Sequence, residues 1–209
     1  MKNKWSEGSG KMSNIASLNS NPLTNKFCQS MYNSKDKNII CTDCYSIKML
    51  QTYRKNCVPK FQGIQDELSS VILTHEQLIE NGYYCPAPVG RIHSHGELYN
   101  KTHLENILNI CEMQPYTTFT LWTKKNNWIK QVLDQRGKPK NLILIYSNPY
   151  KDKIVKDLPK YFNKTFNNVT NDSHGINCNG KCQECMMCYT LGNKTQTIIE
   201  KTLLETRND

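Results

Sequence analysis

The sequence contains no apolar run of the roughly 18 residues that a membrane-spanning helix requires, so no membrane span is expected. Met1 to Ser20 is polar and lacks the apolar core of a secretory signal, so export is not expected and a cytoplasmic location is. Internal repeats are absent. Arginine is sparse, while lysine and asparagine are spread along the whole chain. A formal net charge of +9 allows a nucleic-acid partner, but without a basic cluster the pattern does not favour one. Cysteine, by contrast, is plentiful, with 10 in 209 residues. Without an export signal, that content reads as metal binding or redox chemistry, not as a disulfide scaffold. Hydrophobic residues make up 37% and charged residues 22%, which suits one folded domain with a real core.

The densest feature is Cys178, Cys182, Cys185 and Cys188, spaced C-x3-C-x2-C-x2-C with Gly180 inside the first interval. Thiols this close can converge on one metal or cluster, because short intervening loops add little ordering cost. Both all-cysteine zinc sites and iron–sulfur clusters use thiolates at such spacings. Overlapping CxxC steps favour an iron–sulfur cluster of the 4Fe–4S type, since zinc sites more often come as two pairs separated by a long insert; zinc is the alternative. A second candidate set is Cys28, Cys41 and Cys44. Three thiolates would leave one iron of a cluster without a protein thiolate. Cys57 is an alternative ligand there. Cys111 lies on an apolar helical face and Cys85 is beside Pro86, and both read as packing residues.

Hydrophobic periodicity outlines the elements. A short strand is expected around Ile15 to Asn19, and a helix from Tyr45 to Lys55. A helical stretch carries Ile64, Leu68, Val71 and Ile72, and a capping box at Thr74 and Gln77 starts another, which ends at Asn81-Gly82. Val89 to His95 reads as a strand. Thr102 and Glu105 read as a capping box ahead of Leu104, Ile107, Leu108 and Cys111. Thr117 to Thr123 is a β-branched and aromatic strand, Trp128 to Leu133 a helix closed by Gly137, and Leu142 to Tyr146 a buried strand. Pro149 to Asn171 shows no clear pattern apart from a short helix near Ile154 to Phe162, and Thr195 to Leu204 fits strand or helix. The alternation predicts an α/β fold, a parallel, partly barrel-like sheet of βα units with cysteine-rich flanking segments. Residues 1–10 read as a disordered start, 11–190 as the iron–sulfur domain, and 191–209 as a C-terminal segment.

The active edge of such a sheet lies at the carboxyl ends of its strands. His93, His95 and Glu97 fall after one strand, Thr123 and Lys124 after the next, and Ser147 and Asn148 after a third. Arg91, His93 and His95 would share one face of an extended strand, and three polar side chains there need partners. A sheet-edge strand satisfies that requirement plainly, and a pocket satisfies it functionally. His174, four residues ahead of Cys178, is a candidate neighbour of the second cysteine set.

Taken together, Lys11-Met12, Cys28, Cys41 to Ser46, Arg91, His93, Gly96-Glu97, Thr118 to Lys124 and the Cys178 to Cys188 run resemble the phage family known as gene product 88. His95 stands where that family usually has serine, and Glu97 where it has aspartate. The resemblance implies a phage-encoded protein that works in the host cytoplasm. More distantly, Cys41-Thr42-Asp43-Cys44-Tyr45 with Gly96-Glu97 is similar to radical SAM enzymes. In those enzymes CxxxCxxC holds a cluster, and a Gly-Glu after the second strand binds the amino group of S-adenosylmethionine. Here 12 residues separate Cys28 from Cys41, where those enzymes have three. The resemblance implies a redox-active iron–sulfur protein with an unidentified redox partner and S-adenosylmethionine as a further cofactor. His93, His95 or Cys57 would otherwise close the open iron. The competing expectation is a zinc- or cluster-stabilised non-catalytic module that binds nucleic acid or a host protein.

Overall fold

The computed structural model describes residues 3–202. Its centre is a six-stranded sheet, every neighbouring pair parallel, with the strands lying side by side in chain order. The strands are β1 (Ala16–Leu18), β2 (Val89–Ile92), β3 (Thr118–Thr123), β4 (Leu142–Lys151), β5 (Lys164–Val169) and β6 (Thr197–Lys201). The helices are α1 (Lys26–Tyr32), α2 (Tyr45–Gln51), α3 (Val58–Ser70), α4 (His75–Glu80), α5 (Lys101–Glu112), α6 (Asn126–Arg136) and α7 (Cys182–Cys185). The expected α/β class is therefore present, as an open sheet with β1 and β6 at opposite edges.

Alternation along the central strands divides two apolar layers. Phe119, Leu121, Leu142 and Leu144 join the α3–α6 side chains in the main core, where Leu104, Ile107, Leu108 and Cys111 form the inward face of α5. Trp122, Ile143 and Ile145 point to the other face. Among the described residues, no long helix covers that second face. Tyr189 and the partly buried Met186 and Cys188 pack on it, so the cysteine-rich connection between β5 and β6 is its cover.

Several local expectations change. β2 stops at Ile92, because His93 takes a left-handed backbone (φ 61°) and turns the chain out of the sheet. Consequently Arg91, His93 and His95 do not share a strand face. The helix expected over Tyr45 to Lys55 ends at Gln51, and α3 ends at Ser70, which leaves Val71 and Ile72 exposed. α5 is capped by Asn100, whose side chain accepts the His103 N–H, rather than by Thr102. The Thr74/Gln77 capping box forms as read. No helix forms near Ile154 to Phe162, whereas Lys164–Val169, without a readable pattern, is a strand. The segment from residue 191 supplies β6 within the sheet, as far as residue 202; Thr195 to Leu204 therefore resolves to strand over Thr197–Lys201, and its last two residues lie outside the described residues. Ahead of β1, where the sequence reads as disordered, Trp5 is 4% exposed and its indole N–H donates to the Tyr83 carbonyl. Met1 and Lys2 lie outside the described residues.

Asn106 on α5 ties the helices together. Its Oδ1 accepts the Leu73 N–H and its Nδ2 donates to the Leu68 and Val71 carbonyls, each at 2.8 Å. Asn106→Ala strands three buried backbone groups at once, so it should cost about 3 kcal/mol. A urea unfolding series comparing midpoints at equal slope checks this.

Candidate functional site

The carboxyl edge of the sheet opens into a cavity of about 280 Å3. The β1–β2, β2–β3, β3–β4 and β5–β6 connections contribute to it, as do residues within the strands. Cys28, Cys41 and Cys44 come from the β1–β2 connection, as do Gly96 and Glu97 from the turn after β2; Lys124 follows β3, Ser147 lies in β4, Cys178, Cys182 and Cys188 follow β5, and Glu200 lies in β6. Sequential parallel winding brings about this convergence, because it places all the strand ends on one rim.

The first thiol set is held by Asn25. Its side-chain oxygen accepts the Phe27 and Cys28 N–H groups to start α1, and its Nδ2 donates to the Glu97 carbonyl, 3.1 Å away. Cys41 sits in a single 3-10 turn (Ile40–Asp43), and Cys44 occupies the N-terminal boundary of α2. Burial, followed by the charges of Glu97 and Cys44, raises the Cys28 thiol well above its ordinary range. Burial also raises Cys41, against the opposing field of Lys124. Burial pulls the Lys124 ammonium down, but Cys41, Glu97, Cys28 and Cys44 together outweigh that and leave it raised. Lys124 therefore stays cationic beside the three sulfurs and donates to Ser147 Oγ at 2.9 Å. These mutual fields mark the three thiols as neighbours. Among the described residues, no three His, Cys, Asp or Glu side chains are drawn together as the ligands of a single metal ion. The three thiols all line the one cavity.

Gly96 and Glu97 form the hinge between β2 and this set. Gly96 has φ 89°, and a Cβ there would sit on Ser20 Oγ and the Ser20 carbonyl, so the close approach of the two chains requires glycine. Glu97 is 4% exposed. Its Oε1 accepts from the Leu98 N–H (2.8 Å) and the Thr123 hydroxyl (2.6 Å), and its Oε2 accepts from the Lys124 N–H (2.8 Å). Its carboxylate therefore joins the end of β3 to the turn after β2, and Oε2, with a single donor, keeps acceptor capacity to spare.

The two histidines part company. His95 does not line the cavity; its Nδ1 pairs with Ser46 Oγ at 2.8 Å and its ring stacks on Phe61. Burial, with the fields of Arg91 and Arg54, lowers it to about 4. His93 does line the cavity, 5% exposed, edge-on to His103 at 5.3 Å. Burial lowers it to about 3, so it is a neutral imidazole. The nearby Trp122 carbonyl opposes that shift slightly, yet neither ring nitrogen makes a hydrogen bond.

The second set wraps a smaller cleft adjoining the first cavity, and Cys178, Cys182, Cys185 and Cys188 all line it. Cys178 is fixed to the outer edge of β6 by its N–H to the Ile199 carbonyl, 3.0 Å away. Left-handed turns at Gly180 and Met186 fold the segment back. Cys188 is raised to about 12 by burial. Cys178, Cys182 and Cys188 reach the main cavity as well, while Cys185 lines the cleft alone. All ten cysteines are free thiols. Cys57 packs against the Met49, Leu50 and Phe61 cluster, outside the cavity, and Cys85 and Cys111 are buried in the main core. His174 lies 3.8 Å from Asp152, also outside the cavity, and Asn148 is bonded to Asn167. Sequence reasoning missed Trp122 and Tyr189 as cavity walls. The only trace of them in the chain is their aromatic character beside a strand end and beside a cysteine.

Together these features define a sequentially wound parallel α/β protein whose carboxyl rim gathers two cysteine sets around one cavity. The chain belongs to the gene product 88 family of phage proteins, whose family model matches residues 2–191, a span that includes both sets. No curated protein and no solved structure matches it. Among the described residues, no helix is long and apolar enough to cross a membrane.

Glu97→Gln keeps the shape but turns one acceptor oxygen into a donor facing an N–H or hydroxyl. The variant should lose about 1–3 kcal/mol, read from its denaturant midpoint.

Proposed function

We propose that this protein binds an iron–sulfur cluster through Cys28, Cys41 and Cys44 and acts in the host cytoplasm as a redox enzyme of radical-SAM-like type. The observation that carries the reading is one of placement. Three neighbouring thiols follow β1, a Gly-Glu turn follows β2, and both open into the same cavity at the carboxyl rim of a sequential parallel sheet. Lys124 supports it, since its buried cation opposes the effect of burial at Cys28 and Cys41 and would pair with them as thiolate ligands. A cluster held by three thiolates supplies low-potential electrons and an iron able to take an exogenous ligand such as S-adenosylmethionine. Glu97 Oε2 would accept a hydrogen bond from that ligand's amino group, and neutral His93 offers a further polar contact. The thiols of Cys178, Cys182, Cys185 and Cys188 would hold a second cluster, with zinc as the alternative occupant.

Anaerobically purified protein should contain iron and acid-labile sulfide and absorb broadly in the visible. Cys28→Ser, Cys41→Ser and Cys44→Ser should each lower iron content, and Cys111→Ser should leave it unchanged. After reduction, added S-adenosylmethionine should alter the cluster spectrum and yield 5′-deoxyadenosine. Stoichiometric zinc without sulfide in anaerobic material would overturn the cluster and leave a zinc-stabilised binding module. An intact cluster with no spectral response to saturating S-adenosylmethionine would leave an electron-transfer protein.

A further inference from the structure

Seven buried side-chain atoms among the described residues lack a hydrogen-bond partner, and four belong to the stretch from Arg91 to Ser94: Arg91 Nε, both ring nitrogens of His93, and Ser94 Oγ. All three residues line the main cavity. Each orphaned polar atom costs on the order of 1–3 kcal/mol, so four on one cavity wall point to a group that belongs there. Water can satisfy a hydroxyl or an imidazole, but it does not neutralise a guanidinium.

Arg91 is the informative member. Its guanidinium lies over the Trp122 ring, 4.2 Å from the centroid, a cation–π contact. Nη1 is already engaged, with Tyr189 Oη at 3.3 Å and Met12 Sδ at 3.6 Å. Arg91 takes part in none of the ten ion pairs among the described residues. The unengaged edge is therefore Nε with Nη2, two parallel N–H donors that match the two oxygens of a carboxylate or phosphate. An always-charged side chain that is stacked on Trp122, lines the cavity and has one bidentate edge unpaired is suited to receive an oxyanion.

We infer that Arg91 is the substrate-anchoring residue of the cavity, taking the carboxylate or phosphate group of a small molecule side-on through Nε and Nη2, with Ser94 and His93 as neighbouring hydrogen-bond partners. The inference deepens the proposed function by assigning the substrate an oxyanion. It rests on that reading only in treating the cavity as the active site, and does not depend on which metal is bound.

The test is calorimetric titration of the anaerobically purified full-length protein with inorganic phosphate and, separately, with acetate, at ionic strength held constant with chloride. Iron is assayed on the same samples. Saturable binding of one or both anions is expected, weakened at least tenfold in Arg91→Lys, which cannot present the fork, and abolished in Arg91→Gln. Phosphate alone binding identifies a phosphorylated substrate, and acetate alone a carboxylic acid. Binding without iron in the protein keeps the inference and removes the cluster. An iron-loaded protein that binds neither anion overturns the inference and leaves the cluster standing. Should Arg91→Gln fail to fold, unchanged affinity in Arg91→Lys overturns it. Loss of metal in either variant, with no anion bound by the wild type, overturns it too and assigns Arg91 to the field of Cys188.

Discussion

A parallel sheet wound in one direction covers only one of its faces, and the rest of this structure follows from that constraint. The connections that carry α3 to α6 fill one side with the main core. Trp122, Ile143 and Ile145 on the opposite side would face water if the chain did not return across them. Leaving such side chains exposed would forfeit roughly 1.5–3 kcal/mol apiece. The connection that does return is the cysteine-rich one, anchored by Tyr189 on Trp122 at 5.5 Å. A need for packing thus brings the second thiol set against the same cavity as the first, although about 130 residues of chain lie between them.

The polar design of the rim is equally economical. Glu97 spends most of its carboxylate on architecture, accepting three donors from the ends of β2 and β3. Lys124 supplies the neighbouring positive charge, held by Ser147. Arg91 supplies another, stacked over Trp122. These two cations differ in their surroundings. Lys124 sits among Cys41, Glu97 and Cys28, whereas Arg91 has no carboxylate partner among the described residues. The cavity is therefore electrostatically satisfied near the first thiols and unsatisfied near β2.

Much of this was legible in the sequence where physics is local. The strand at Thr118–Thr123 is β-branched and aromatic and the Leu142 to Tyr146 part of β4 is continuously apolar, the inward face of α5 keeps helical spacing, and the Thr74 capping box and Gly137 mark ends that pattern alone can fix; the polar continuation of β4 to Lys151 carries no such pattern. Both cysteine sets and the Gly96-Glu97 turn stood out by composition. What was hidden depends on distant partners. The β5 segment Lys164–Val169 looks too polar for a buried strand, yet Lys164 is 2% exposed with its ammonium on backbone carbonyls near residue 193, and Asn167 is fully buried in a side-chain network. The pattern carries β2 three residues too far, since nothing in Arg-Ile-His-Ser announces a left-handed His93. Trp5 was read as part of an unstructured start because one aromatic residue has no periodicity.

The position of the cover along the chain also sets an order of assembly. Domains form progressively as the chain leaves the ribosome, amino-terminal parts first. Strands β1 to β4, the first thiol set, Arg91 and Trp122 are all translated before residues 182–189. Until Tyr189 arrives, the far face of the sheet and the cavity behind it stand open to the surrounding fluid. The segment that shuts the far face is thus translated late, ahead only of β6 among the described elements.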